Sequence, residues 1–181
     1  MTPYVALLRA VNVAGKNRLP MSELRRALTA RGLGDVSTIL QSGNVLFRSG
    51  EPERAAAAGV AAAIEDAFAL QVGVVVRSAG DLAVVASQNP FLAEHSGHDP
   101  STLHVAFLAE RPADAAIATL EPDRSPPDAF VVSGREVYLS YPNGSGRSRL
   151  TLDYLERRLG THGTARNWRT VQRLADALAA E

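Results

Sequence analysis

Arg9, Asn12, Gly15, Lys16, Asn17 and Arg18 crowd into residues 8–20, LRAVNVAGKNRLP. Lysine and arginine neutralise a phosphate or carboxylate, asparagine amides read hydroxyl or base edges, and a glycine lets the backbone approach a ligand. The stretch leads into an amphipathic helix, whose first N–H groups and dipole favour anions. It is not a Walker loop, because the spacing G-x-x-x-x-G-K-[ST] is missing. In the structural alternative, Asn12 and Asn17 bond their own backbone and stiffen a long turn. Lys16 is the only lysine beside eighteen arginines, and its compact ammonium differs from a planar guanidinium fork.

A second group of the same chemistry is PNGSGRSR, residues 142–149, with Asn143, Arg147 and Arg149 among two glycines and two serines. That composition suits an oxyanion; the alternative is an ordinary connection in which Ser148 or Thr151 caps the next helix. Arg166 and Asn167 form a third group. Asn167 can cap the last helix while Trp168 fills the core, and Arg166 joins the first loop if a short strand carries it there. Ser42 and Asn44, in the turn QSGN, complete the expected ligand-binding set. His95 and His98 with Asp99 suggest metal ligation but lack the helical HExxH context, so no metal is assigned. No Ser, His and acid have a spacing that points to a triad. Tyr138 and Tyr141 lie three apart on a strand, hence on opposite faces, and make no stacking platform.

These groups must be held by elements, and the periodicities supply them. Residues 4–11 read as a strand; Met21, Leu24, Ala27 and Leu28 recur at helical spacing, with Pro20 near the start and Gly32 placed to end the helix. Val36, Thr38 and Leu40 precede QSGN and VLFR in a hairpin. Pro52 and Glu53 open an alanine-rich helix with Val60, Ile64, Ala67 and Phe68 on one face, and VGVVVR closes this half as a buried strand. Ser78 and Asp81 start a short helix that Pro90 stops. The pattern then returns: a strand at 103–110, a helix at 112–120, a hairpin at 130–141, a helix with Leu152, Leu155 and Leu159 inside and Gly160 at its end, and a short extended piece at 164–168. A last helix presents Val171, Leu174 and Leu178. An offset of 91 residues lays Ser42 and Gly43 on Ser133 and Gly134.

The expected fold is therefore α+β, two ferredoxin-like βαββαβ subdomains in tandem plus a C-terminal helix. The first covers residues 1–78; residues 79–181 hold a linker helix, the second subdomain and the last helix. In the second copy, ERP suffices to join strand to helix, whereas the first copy spends residues 11–19 on a long polar loop. Architecture does not require that loop, which favours a functional reason for it.

The net charge of zero hides a segregation: residues 1–31 carry +5, residues 32–134 carry −8 and residues 135–181 carry +3. If the ends meet, they make a local positive field on a neutral protein. No apolar run approaches the roughly 20 residues that span a bilayer, and residues 1–13 do not read as a signal peptide, so a cytoplasmic location and no membrane partner are expected. The absence of cysteine removes disulfides and thiolate chemistry.

LRAVNVAGKNRLPMSEL, LQSGNVLF, NPF, YPNGSGRSRLT and TARNWRTV together resemble the signatures of the mostly bacterial domain of unknown function 1697 family, over essentially the whole chain. The resemblance implies an α+β fold with ferredoxin-like subdomains and no established activity. The chain departs from the family pattern at Ala14, where a second glycine is usual, and at Ala165 and Arg169, where threonine and asparagine are commoner. The residues favour a module that binds a phosphate-bearing small molecule such as a nucleotide. RNA binding, a small enzyme acting on a phosphorylated substrate, and a scaffold that dimerises through an apolar sheet face remain the alternatives. Against RNA, only 6% of residues are aromatic and the charge is nil. The sequence names no cofactor.

Overall fold

The computed structural model describes residues 1–13, 17–92 and 97–180. Its contacts divide the chain into two compact units, Met1–Ala83 with Leu174–Glu181, and Val84–Arg173. The end of the last helix groups with the first unit.

In the first unit β1 (Thr2–Leu8), α1 (Met21–Ala30), β2 (Gly34–Ile39), β3 (Asn44–Ser49), α2 (Glu53–Phe68) and β4 (Val74–Ser78) follow in order. The strands form an antiparallel sheet in the order β2-β3-β1-β4. Period-two alternation puts Tyr4, Ala6, Leu8, Val45 and Phe47 on one face, where they pack with Leu24, Leu28, Val60 and Ile64 of the two helices. The opposite face is buried as well, through Val5, Leu7, Leu46 and Val75. Ala63, rather than the expected Ala67, completes the inner stripe of α2; Ala67 is exposed. The first strand starts earlier and stops earlier than expected, because Ala10 and Asn12 turn left-handed at φ 50° and 54°, which extended pairing cannot accommodate.

Ser78 starts α3 (Ala79–Ser87) by accepting the Asp81 N–H at 3.1 Å, and a 3₁₀ turn at Pro90–Leu92 follows. The second unit repeats the order with β5 (Leu103–Leu108), α4 (Asp114–Ile117), β6 (Ala129–Ser133), β7 (Glu136–Ser140), α5 (Leu152–Leu159) and β8 (Gly163–Asn167). Its sheet runs β6-β7-β5-β8, the same arrangement as the first, and α6 (Trp168–Ala179) ends the chain. Ala106, Leu108, Val137, Leu139, Leu155 and Leu159 make its core. Helix α4 is shorter than the expected span, because after Ile117 the chain tightens into bonds three residues apart, Thr119 N–H to Ala116 O and Leu120 N–H to Ile117 O, both 3.0 Å. Among the described residues no helix is long and apolar enough to cross a membrane. The two sheets and their helices make an α+β architecture.

Candidate functional site

The β1-to-α1 connection is anchored at both ends by core residues, Val11 and Leu19, each 1% exposed. Between them the Asn12 side chain closes the turn. Its Oδ1 accepts the Leu19 N–H at 2.8 Å, and its Nδ2 donates to Leu19 O at 3.0 Å and Gln41 O at 2.8 Å. Asn12 N–H also reaches Asn17 O at 3.1 Å, and Asn17 Nδ2 donates to Ala10 O at 3.1 Å. Both amide N–H groups of Asn12 are thus spent on the fold. The neighbouring hairpin turn is packed against the same corner. Leu8 N–H donates to Gly43 O at 2.8 Å, and a Cβ on Gly43 would stand 2.4 Å from Val11 Cγ2. Buried Asn44 donates to Ile39 O at 2.9 Å and to Ser42 Oγ at 3.1 Å. Arg9 N–H bonds Gly73 O at 2.9 Å and its stem passes that glycine, while Arg18 is exposed. Gly15, Lys16 and His95 lie outside the described residues. The Asn12 and Asn17 side chains thus bond the backbone of their own corner, as in the structural alternative.

In the second unit two segments face each other across a cleft of about 480 Å³. One, between β7 and α5, supplies Asn143, Gly144, Arg147 and Ser148; the other, before β6, supplies Ser125 and Asp128. Local chemistry explains the shape of the first segment. Tyr141 OH donates to Leu150 O at 2.9 Å, Gly144 turns left-handed at φ 81°, and Thr151 Oγ1 caps α5 by accepting the Tyr154 N–H at 3.2 Å. Ser125 Oγ ties the walls together by accepting the Arg149 N–H at 3.1 Å. The second wall is braced from α5: Glu121 bridges Arg124 at 3.2 Å and Arg158 at 2.6 Å, and the two guanidinium carbons stand 4.5 Å and 5.6 Å from the Tyr154 ring centroid. Arg147 is exposed and has no hydrogen-bond or ion-pair partner among the described residues. Arg149, also expected as a ligand, spends its N–H on Ser125 and its carbonyl on Arg124 Nε at 3.4 Å, and does not line the cleft. Asp128 is among the groups that hold the Tyr141 phenol above its ordinary range, after burial itself. Ser125 and Asp128 lie too far from 142–149 in sequence for spacing to have joined them.

Arg166 sits on β8 opposite Val105 and is 8% exposed. Its Nη1 donates to Thr164 Oγ1 and Ala165 O, both at 2.8 Å, and burial lowers its pKa to about 10, which keeps the charge at neutral pH. Arg77 has the equivalent place on β4, opposite Val5, fully buried, with Glu53 Oε1 3.8 Å away. Sequence reasoning passed over Arg77, although each repeat ends its last strand with arginine followed by a helix-capping Ser78 or Asn167. Asn167 Oδ1 accepts the Thr170 N–H at 2.9 Å and so caps α6. Ser140 Oγ lies 2.8 Å from His98 Nδ1, but the serine is wholly buried and closed to a substrate. Among the described residues no three His, Asp or Glu side chains gather as metal ligands.

Comparison with known proteins adds the lineage. Among solved structures, the conserved bacterial protein SP0830 from Streptococcus pneumoniae is 22% identical, with 99% of each chain covered and a TM-score of 0.76, a likeness of fold. No curated protein matches the chain. The family described as "Protein of unknown function (DUF1697)" matches over residues 1–138. That match takes in the first unit's whole sheet and most of the second, and the chain belongs to the DUF1697 family.

Proposed function

We propose that this protein binds a small phosphate-bearing, hydroxyl-rich molecule, a sugar phosphate or nucleotide, in the cleft between residues 125–128 and 143–148. The observation that carries the reading is the lining: the exposed Arg147 guanidinium, the Asn143 amide, the Ser125 and Ser148 hydroxyls and the Asp128 carboxylate around one cavity of about 480 Å³. Cavities of roughly 300–1,000 Å³ suit such ligands. The Arg147 fork matches two phosphate oxygens, and a carboxylate accepts from vicinal hydroxyls while repelling a bare anion. The cytoplasm, where such molecules are made, is the proposed location.

Each βαββαβ unit is read as ferredoxin-like. The sheet face that an RNA-recognition motif leaves open for stacking bases is buried here in both units, by Val5, Leu7, Leu46 and Val75 in one and Val105, Phe107 and Tyr138 in the other. That favours a small ligand over RNA. Isothermal titration against nucleoside monophosphates and sugar phosphates tests the reading. Heat is expected from members that carry both phosphate and vicinal hydroxyls, and Arg147→Gln weakens them about tenfold. Silence across the panel, or unchanged affinity in R147Q, overturns it.

A further inference from the structure

A second depression lies in the first unit, along α1 beside β2, with a volume of about 530 Å³. Its lining is Ser22, Arg25, Arg26, Thr29 and Ala30 from the helix and Val36 from the strand. The helix presents this stripe because positions i, i+3, i+4 and i+7 share a face. Met21, Leu24 and Leu28 are the buried residues of α1, so the stripe is not needed for the core.

The charge of the lining is one-sided. It has two guanidiniums and no carboxylate: Glu23, the acid on α1, is outside it, and Asp35 on β2 is paired with Arg48 at 3.2 Å. Arg25 is held in place, because its Nη1 donates to Thr38 Oγ1 of β2 at 2.8 Å, and its other N–H groups have no partner among the described residues. Arg26 is exposed with no partner among the described residues. Two hydroxyls stand beside the guanidiniums, and Val36 and Ala30 add an apolar side. From Ser22 to Ala30 the helix rises about 12 Å, room for more than an inorganic ion.

We infer that this groove is a second anion site that takes a phosphate monoester carrying an apolar body. Two arginines match the charge of about −2 on such a group, their forks bind its oxygens in pairs, Ser22 and Thr29 donate to it, and the organic portion lies on Val36 and Ala30. The site is independent of the cleft in the second unit.

Phenyl phosphate is the probe, followed by amide chemical shifts of the full-length chain. Saturable shifts are expected at residues 22–30 and 36–38, with weaker binding of inorganic phosphate, which lacks the ring, and of benzyl alcohol, which lacks the charge. Arg25→Gln with Arg26→Gln weakens the phenyl phosphate binding seen at residues 22–30 at least about tenfold. The single R26Q variant removes an exposed side chain that the fold does not use, so its weakened binding cannot be ascribed to unfolding. Shifts confined to residues 125–148, no saturable shifts at α1 and β2, or undiminished binding in R26Q overturns the inference.

Discussion

A single methyl group has opposite consequences at different places in this chain. At Gly43 an added Cβ would meet Val11 Cγ2 at 2.4 Å and Leu8 Cβ at 2.8 Å, on a backbone already at φ 79°. Gly43→Ala therefore combines left-handed strain with overpacking and is expected to cost at least about 2 kcal/mol. Gly59 stands exposed in the middle of α2, and a methyl added there would have nothing within 4 Å. Gly59→Ala should instead stabilise by about 0.5–1 kcal/mol, through backbone entropy alone. Ala69 holds φ 52° at the C-cap of the same helix, where glycine sits without strain, so Ala69→Gly should stabilise by up to about 1 kcal/mol. Urea unfolding of the three variants checks these signs; a stabilised G43A would mean that the turn does not sit against the β1 end as described. The sequence marked Gly43 as a turn residue but carried no sign of the collision, which arises from packing against residues over thirty positions earlier.

At the scale of elements, the repeated strand–helix order was legible because its signals are local: alternation for strands, helical spacing for helices, and Gly32, Gly134 and Gly160 at left-handed turns. The role of the long first connection was not, since the composition of a polar loop is the same whether its amides face a ligand or close its own backbone. For Asn12 the geometry shows the second of these. Its amide satisfies the Leu19 N–H and C=O beside a core anchor and ties the loop to Gln41. Asn12→Ala leaves those groups without their partner and is expected to destabilise the fold by about 1–3 kcal/mol. Affinity for a ligand in the second unit's cleft should not change in the same variant. Thermal unfolding together with the titration panel reads both quantities, and a loss of affinity at full stability would return Asn12 to the ligand-binding set. The cleft itself was only half visible from sequence, because Asn143 and Arg147 stand in a segment whose composition draws the eye, while the opposing Ser125 and Asp128 come from an unremarkable stretch brought near by the β6–β7 hairpin.

For the molecule as a whole, the balance of charge conceals which ionisable groups the fold has drawn partly out of water. His104 is one. It stands on β5 with its ring 5.2 Å from that of Tyr141 and its Nδ1 3.4 Å from Thr102 O. Burial lowers its pKa below the ordinary 6.5, and the Thr102 carbonyl offsets only part of that effect. The folded chain therefore releases the proton more readily than the unfolded chain. Above 6.5 both forms hold a neutral ring and stability owes nothing to it; as pH falls below 6.5 the unfolded chain is protonated first, and stability declines until the folded pKa is passed. Asp99 acts in a separate and more acidic window, because the Ser101 N–H keeps its carboxyl below the ordinary 3.8. His104→Gln removes the titration without removing the polar side chain, so its unfolding midpoint should vary less with pH than that of the parent chain just below 6.5, and equally below 3.8. Trp168, the sole tryptophan, is buried in the same unit and reports the transition by fluorescence. Parallel profiles for the two proteins throughout would show that the imidazole is as well solvated in the fold as outside it.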